Sequence, residues 1–92
     1  MAALKSDGVD VKDLADACLH HLAENPEQLA EFMNTSGLTP ENIRRAMGTE
    51  SLARGLIDYF AQNEALLLAL CAESGRKPEA VMRVWARLNP EG

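Results

Sequence analysis

The chain has little of what most catalytic and membrane architectures require. Aromatic residues make up only 4% of its 92 residues, with one Trp and one Tyr, and there are just two cysteines. No apolar run approaches the ~20 residues that span a bilayer. The most apolar stretch, Ala65–Ala72, is far too short. Met1–Asp10 has no apolar core of the kind a secretory signal needs, so the expected location is the cytoplasm and no membrane partner is expected. Cys18 and Cys71 are then expected as reduced thiols, each at an apolar position of a helical pattern.

The chemistry-bearing patterns are equally thin. There is no glycine-rich phosphate loop, no CxxC or HxxxH, and no Ser or Cys in a strand-to-helix elbow. Asp58 and Glu64 could approach each other near the fourth and fifth helices, but solvated acids are the expectation. His20 and His21 are neighbours, and neighbours on a helix point about 100° apart, which hinders joint ligation of one ion. Cys18 and His21 are spaced i, i+3, yet two donors fall short of the four a structural zinc site uses. His20 is expected in solvent and His21 at the edge of the apolar stripe. The reading is therefore a non-enzyme with no catalytic residue, no cofactor and no metal.

Charge is lopsided. Residues 1–50 carry nine acids against four bases, whereas residues 51–92 carry five of each. The first half thus holds the whole net charge of −5, which disfavours nonspecific binding to nucleic acid or anionic membrane.

What is present is a repeat. Shifted by 38 positions, residues 14–48 fall on 52–86 without a gap. Leu14-Ala15, Asn25, Leu29, Gly37, Pro40 and Arg45 recur as Leu52-Ala53, Asn63, Leu67, Gly75, Pro78 and Arg83. Such a period marks a structural unit used twice. No segment alternates with a strand period and β-branched residues are sparse, so the fold class is all-α: six short helices as two copies of a three-helix motif sharing one core.

Punctuation places the helices. The first runs from about Val11 to Glu24, with Leu14, Ala15, Cys18, Leu19 and Leu22 at i, i+3, i+4 spacing. Asn25-Pro26 reads as N-cap and first residue of a second helix that Gly37 ends. Thr39-Pro40 opens a third with Ile43, Ala46 and Met47 inward, closed by Gly48. Thr49 caps a fourth, to Gln62. Asn63 caps a fifth, ended by Gly75. Pro78 opens a sixth, with Val81, Val84, Trp85 and Leu88 inward, stopped by Asn89-Pro90. The domain plan is a tail over 1–10, a single domain over 11–89 (repeats 11–48 and 49–88), and a tail over 90–92.

Two surfaces are candidates for function. On the fifth helix, Leu66 and Leu68 flank the stripe of Leu67, Leu70 and Cys71, where the first repeat has Gln28 and Ala30. A helix apolar nearly all round is expected at the centre of the fold. Leu66, Leu68 and the lone Trp85 are accordingly the candidate partner surface, should any of them remain exposed. The alternative is a nucleic-acid regulator with helix-turn-helix-like units, since Gly37/Ile43 and Gly75/Val81 have the spacing of such a turn. Its contacts would be Arg76, Lys77, Arg83 and Arg87. Against it, the residues a recognition helix offers to base edges are here Pro40-Glu41 and Pro78-Glu79. The expected partner is a protein, not nucleic acid, and the chain is expected as a monomer or weak homodimer.

Asn25-Pro26-Glu27 through Phe32, then Ser36-Gly37-Leu38-x-Pro40, then Leu56-Ile57-Asp58-Tyr59, Asn63-Glu64-x-Leu66-Leu67 and Gly75-x-x-Pro78-Glu79-x-Val81 resemble a family of short alphaproteobacterial proteins classed as a domain of unknown function. The resemblance covers about residues 13–88. It implies a small bacterial cytoplasmic helical protein, and it carries no catalytic residue onto this chain.

Overall fold

The structure is a computed structural model that describes residues 11–91. Residues 1–10 and Gly92 lie outside the described residues, and with them the tail assigned to 1–10 and the last position of the tail assigned to 90–92. Six helices follow one another: α1 (Val11–Ala23), α2 (Pro26–Ser36), α3 (Pro40–Ala46), α4 (Glu50–Ala61), α5 (Glu64–Ser74) and α6 (Pro78–Leu88). No strand occurs among the described residues. No described helix is long and apolar enough to cross a membrane.

The helix ends follow from local chemistry. Pro26, Pro40 and Pro78 each occupy a first helical turn, where a missing N–H costs nothing. Thr39 and Thr49 accept from the backbone N–H of Asn42 and Leu52. Gly37 and Gly75 take φ of 77° and 74°, and their N–H groups donate to the carbonyls of Met33 and Cys71. A Cβ built at either glycine would meet nothing within 4 Å, so an alanine there meets only the backbone penalty of the left-handed region. Gly37→Ala and Gly75→Ala are each expected to lose about 1 kcal/mol in urea titration. Unchanged stability in both would contradict these caps.

Asn25 departs from the expected role. Its side chain makes no cap bond to α2; instead Nδ2 donates back to the carbonyl of His21 at 2.7 Å. It therefore closes the end of α1. Asn63 makes no side-chain cap bond either.

The core is built on α1 and α4, which share the most extensive contact in the fold. Leu14, Cys18 and Leu22 from α1 meet Leu56, Ile57 and Phe60 from α4, all essentially without solvent exposure. α6 lies against α4 through Val81 and Val84, and α5 contacts α1, α4 and α6. The expectation that the fifth helix is central is thus corrected. α5 buries Leu66, Leu67, Leu70 and Cys71 on one side and leaves Ala65, Leu68, Ala69 and Ala72 in solvent on the other. It is apolar all round but covered on one side only.

Helix boundaries recur at the 38-residue spacing: α2 and α5 coincide over their full length, and α3 and α6 share a start. The packing of the third helix does not recur. α6 lies along α4, whereas α3 leans on α4 and makes no comparable contact with α1. α3 is also shorter. It ends at Ala46, and the turn Met47-Gly48-Thr49, with Gly48 at φ 85°, leads directly into α4. Met47 was expected inward. It leaves the helix with ψ 134° and stands 56% exposed.

Candidate interaction surface

The early end of α3 opens a groove of about 330 Å³ between α1 and α4. Ala15, Leu52, Ala53 and Leu56 form its buried floor, and half-buried Leu19 and Leu88 stand along its sides. Exposed Met47 lies at one edge. The polar rim consists of Lys12, Asp16, Thr49 and Glu50, all exposed. Counted with its immediate neighbours Asp13 and Arg54, the rim carries two cations, Lys12 and Arg54, against three carboxylates, Asp13, Asp16 and Glu50, an excess of one carboxylate on the α1 side. Glu50 is 3.7 Å from Arg54 in an exposed i, i+4 pair, which is worth little in water. None of the groove residues was singled out as a site by sequence. One signal was present: Gly48 falls opposite Ala86 in the 38-residue alignment, so the third helix had to stop where the sixth continues.

The candidate partner residues separate. Leu66 is buried in the monomer, at 5% exposure, and is not part of any free surface. Leu68 is 48% exposed, on the outer side of α5. Trp85 is half-buried, and its Nε1 donates to Oδ1 of Asp58 at 2.8 Å. Asp58 also accepts from Gln62 at 3.0 Å, so it is a half-buried, bonded acid and not the solvated one expected. Leu68 and Trp85 are on different helices, and neither lines the groove.

The basic residues also divide. Arg83 and Arg87 are exposed one turn apart on α6, and Lys77 is exposed at its N-cap. Lys77 and Arg83 are six positions apart, which puts them about a third of a turn apart around the helix. Arg76 turns inward: its Nε is buried without a hydrogen-bond partner, and its charge acts on both thiols. These four cations do not share one face. A fifth, Arg54, lies beside α6, where its Nη2 donates to the carbonyl of Leu88 at 2.9 Å.

Both cysteines are free and buried. Burial pushes the Cys18 thiol up to about 12, against a smaller opposing pull from Arg76. Burial likewise raises Cys71. Neither thiol is poised as a nucleophile. Among the described residues no group of three or more His, Cys, Asp or Glu is arranged to hold a metal ion.

His20 is exposed, with Nε2 at 3.1 Å from Glu24. His21 is not at an edge, as its spacing suggested, but inside. At 7% exposure its ring stands edge-on to Phe60, and Nδ1 donates to Oε1 of Glu73 across 2.6 Å, joining α1 to α5. That hydrogen bond is the main reason the Glu73 carboxyl titrates below its ordinary value. A carboxylate favoured in the folded state stabilises above its unfolded pKa, and the gain disappears as pH falls through the lowered folded value. Thermal melts across the acid range are expected to show this loss in the parent and not in Glu73→Gln. Identical pH profiles would count against the pair.

A family model described as a protein of unknown function (DUF3572) matches residues 9–91. No curated protein and no solved structure matches the chain.

Proposed function

The chain belongs to the DUF3572 family of proteins of unknown function, and we propose that it is a non-catalytic protein-interaction module that works through the groove between α1 and α4. The observation that carries this reading is the groove itself: an aliphatic floor open to solvent, with a large apolar residue, Met47, held out at its edge. Such apolar concavities in small domains serve as recognition sites. The proposal includes a bacterial cytoplasmic setting, in keeping with the sequence resemblance, and two copies of one ancestral three-helix unit, in keeping with the shared helix boundaries.

The test is capture of partners from native lysate by the parent and by Met47→Glu, a change at an exposed position that leaves the core untouched. Loss of the same partners from the variant supports the reading; unchanged capture refutes it. The nucleic-acid reading has its own measurement. Duplex DNA is expected not to bind at physiological salt, because the exposed cations are dispersed and the first half of the chain is acidic. Micromolar binding weakened by Arg83→Ala and Arg87→Ala, with a log–log salt slope reduced by roughly 0.9 per lost phosphate contact, would reverse the ranking.

A further inference from the structure

We infer that the groove takes an amphipathic helix of a partner protein whose apolar stripe is flanked by lysine or arginine. The inference rests on the interaction reading above and adds the shape and charge of the occupant.

Shape comes from the comparison of α1 with α4. Along α4, Arg54 and Asp58 meet α6: Arg54 donates to the carbonyl of Leu88, and Asp58 accepts from Trp85. The positions 38 residues earlier are Asp16 and His20 on α1, and Asp16 lines the groove. Among the described residues, no helix lies on the α1 face that corresponds to the helix-bearing face of α4. α3 ends at Ala46, and Met47, which aligns with Trp85, is left in solvent. The floor is lined by small and aliphatic side chains, Ala15, Ala53, Leu52 and Leu56, so a helix can approach closely and insert residues spaced i, i+3, i+4.

Charge comes from the rim. Arg54 is a donor that receives a helix C-terminus on α4. Asp16, at the corresponding place on α1, is an acceptor that would repel the carbonyl end of a helix. With Asp13 close by in sequence, it favours ammonium or guanidinium groups, whereas Glu50 across the groove already has Arg54 beside it. The same rim argues against a second copy of this chain. The exposed apolar side of α5, around Leu68, belongs to a helix with no basic residue to offer Asp16.

Two synthetic peptides test the inference on the full chain. Each is about four helical turns long with leucine at i, i+3, i+4 and i+7. One carries lysine at the flanking positions and the other glutamate. Binding is read by fluorescence anisotropy, and its place by the NMR shift of the Met47 methyl. The lysine peptide is expected to bind at least roughly tenfold tighter than the glutamate peptide and to move the Met47 signal. Asp16→Lys, at an exposed site, is expected to remove that preference, and Met47→Glu is expected to weaken both peptides. Leu68→Gln is expected to change nothing.

Equal binding of both peptides, still abolished by Met47→Glu, would overturn the charge assignment while leaving the groove an interaction site. No binding of either peptide would overturn the helix assignment. If lysate partners also survived Met47→Glu, the interaction reading would fall with it. Concentration-dependent self-association removed by Met47→Glu would assign the groove to a second copy instead.

Discussion

Phe60→Ala is expected to cost about 3–5 kcal/mol, the range for truncating a buried aromatic when the cavity only partly collapses. Phe60 has no solvent exposure. It stands on α4, which shares the largest helix contact of the fold with α1. Its ring centroid lies 5.9 Å from that of His21 at an interplanar angle of 79°, and 6.2 Å from that of Tyr59 at 75°. Both are edge-on arrangements that add to the area term. Removing the ring also takes away the wall that holds His21 toward Glu73. Small domains are stable by only about 5–15 kcal/mol, so this one change would consume a large share. Urea titration measures it, and a loss below about 1 kcal/mol would mean that Phe60 is not a central packing residue.

Leu66→Gln and Leu68→Gln are expected to diverge although the residues are two apart on one helix. Leu66 is 5% exposed, and glutamine there would lose apolar burial and strand an amide, at roughly 2–4 kcal/mol. Leu68 is 48% exposed, and the same change should stay within about 0.5 kcal/mol. Thermal melts of the two variants decide the matter, and sedimentation shows whether Leu68→Gln alters association. Equal destabilisation would place both residues in the core and contradict the one-sided burial of α5. Equal neutrality would instead remove Leu66 from the core.

Much of the fold was legible because helix ends are local events. Pro26, Pro40 and Pro78 start helices since their rings suit a first turn, and Gly37 and Gly75 end them since a residue without Cβ enters the left-handed region freely. The stripe of Leu14, Cys18 and Leu22 was likewise readable, because 3.6-residue periodicity brings those side chains to one face whatever that face meets.

The rest depended on which faces other helices reach. α5 has apolar residues on both sides, and composition alone pointed to the centre of the fold. Only the arrangement of α1, α4 and α6 decided that Leu66 is covered and Leu68 is not. His21 sat at the margin of its stripe, and burial became tolerable because Glu73, 52 residues later, supplied an acceptor. Asn25 had the right identity for an N-cap, yet its amide found the carbonyl of His21 instead. The groove shows the same division. Gly48 announced in sequence that the third helix would end early. That this leaves a face of α1 open, with Ala15 and Ala53 as floor and Met47 at the edge, follows only from the placement of α4 beside α1 and of Leu88 at its side. Sequence by itself determined where each helix begins and ends, because backbone dihedrals and side-chain periodicity act within a few residues. Tertiary structure alone decided which apolar faces stay open, because burial is a property of pairs of surfaces far apart in the chain.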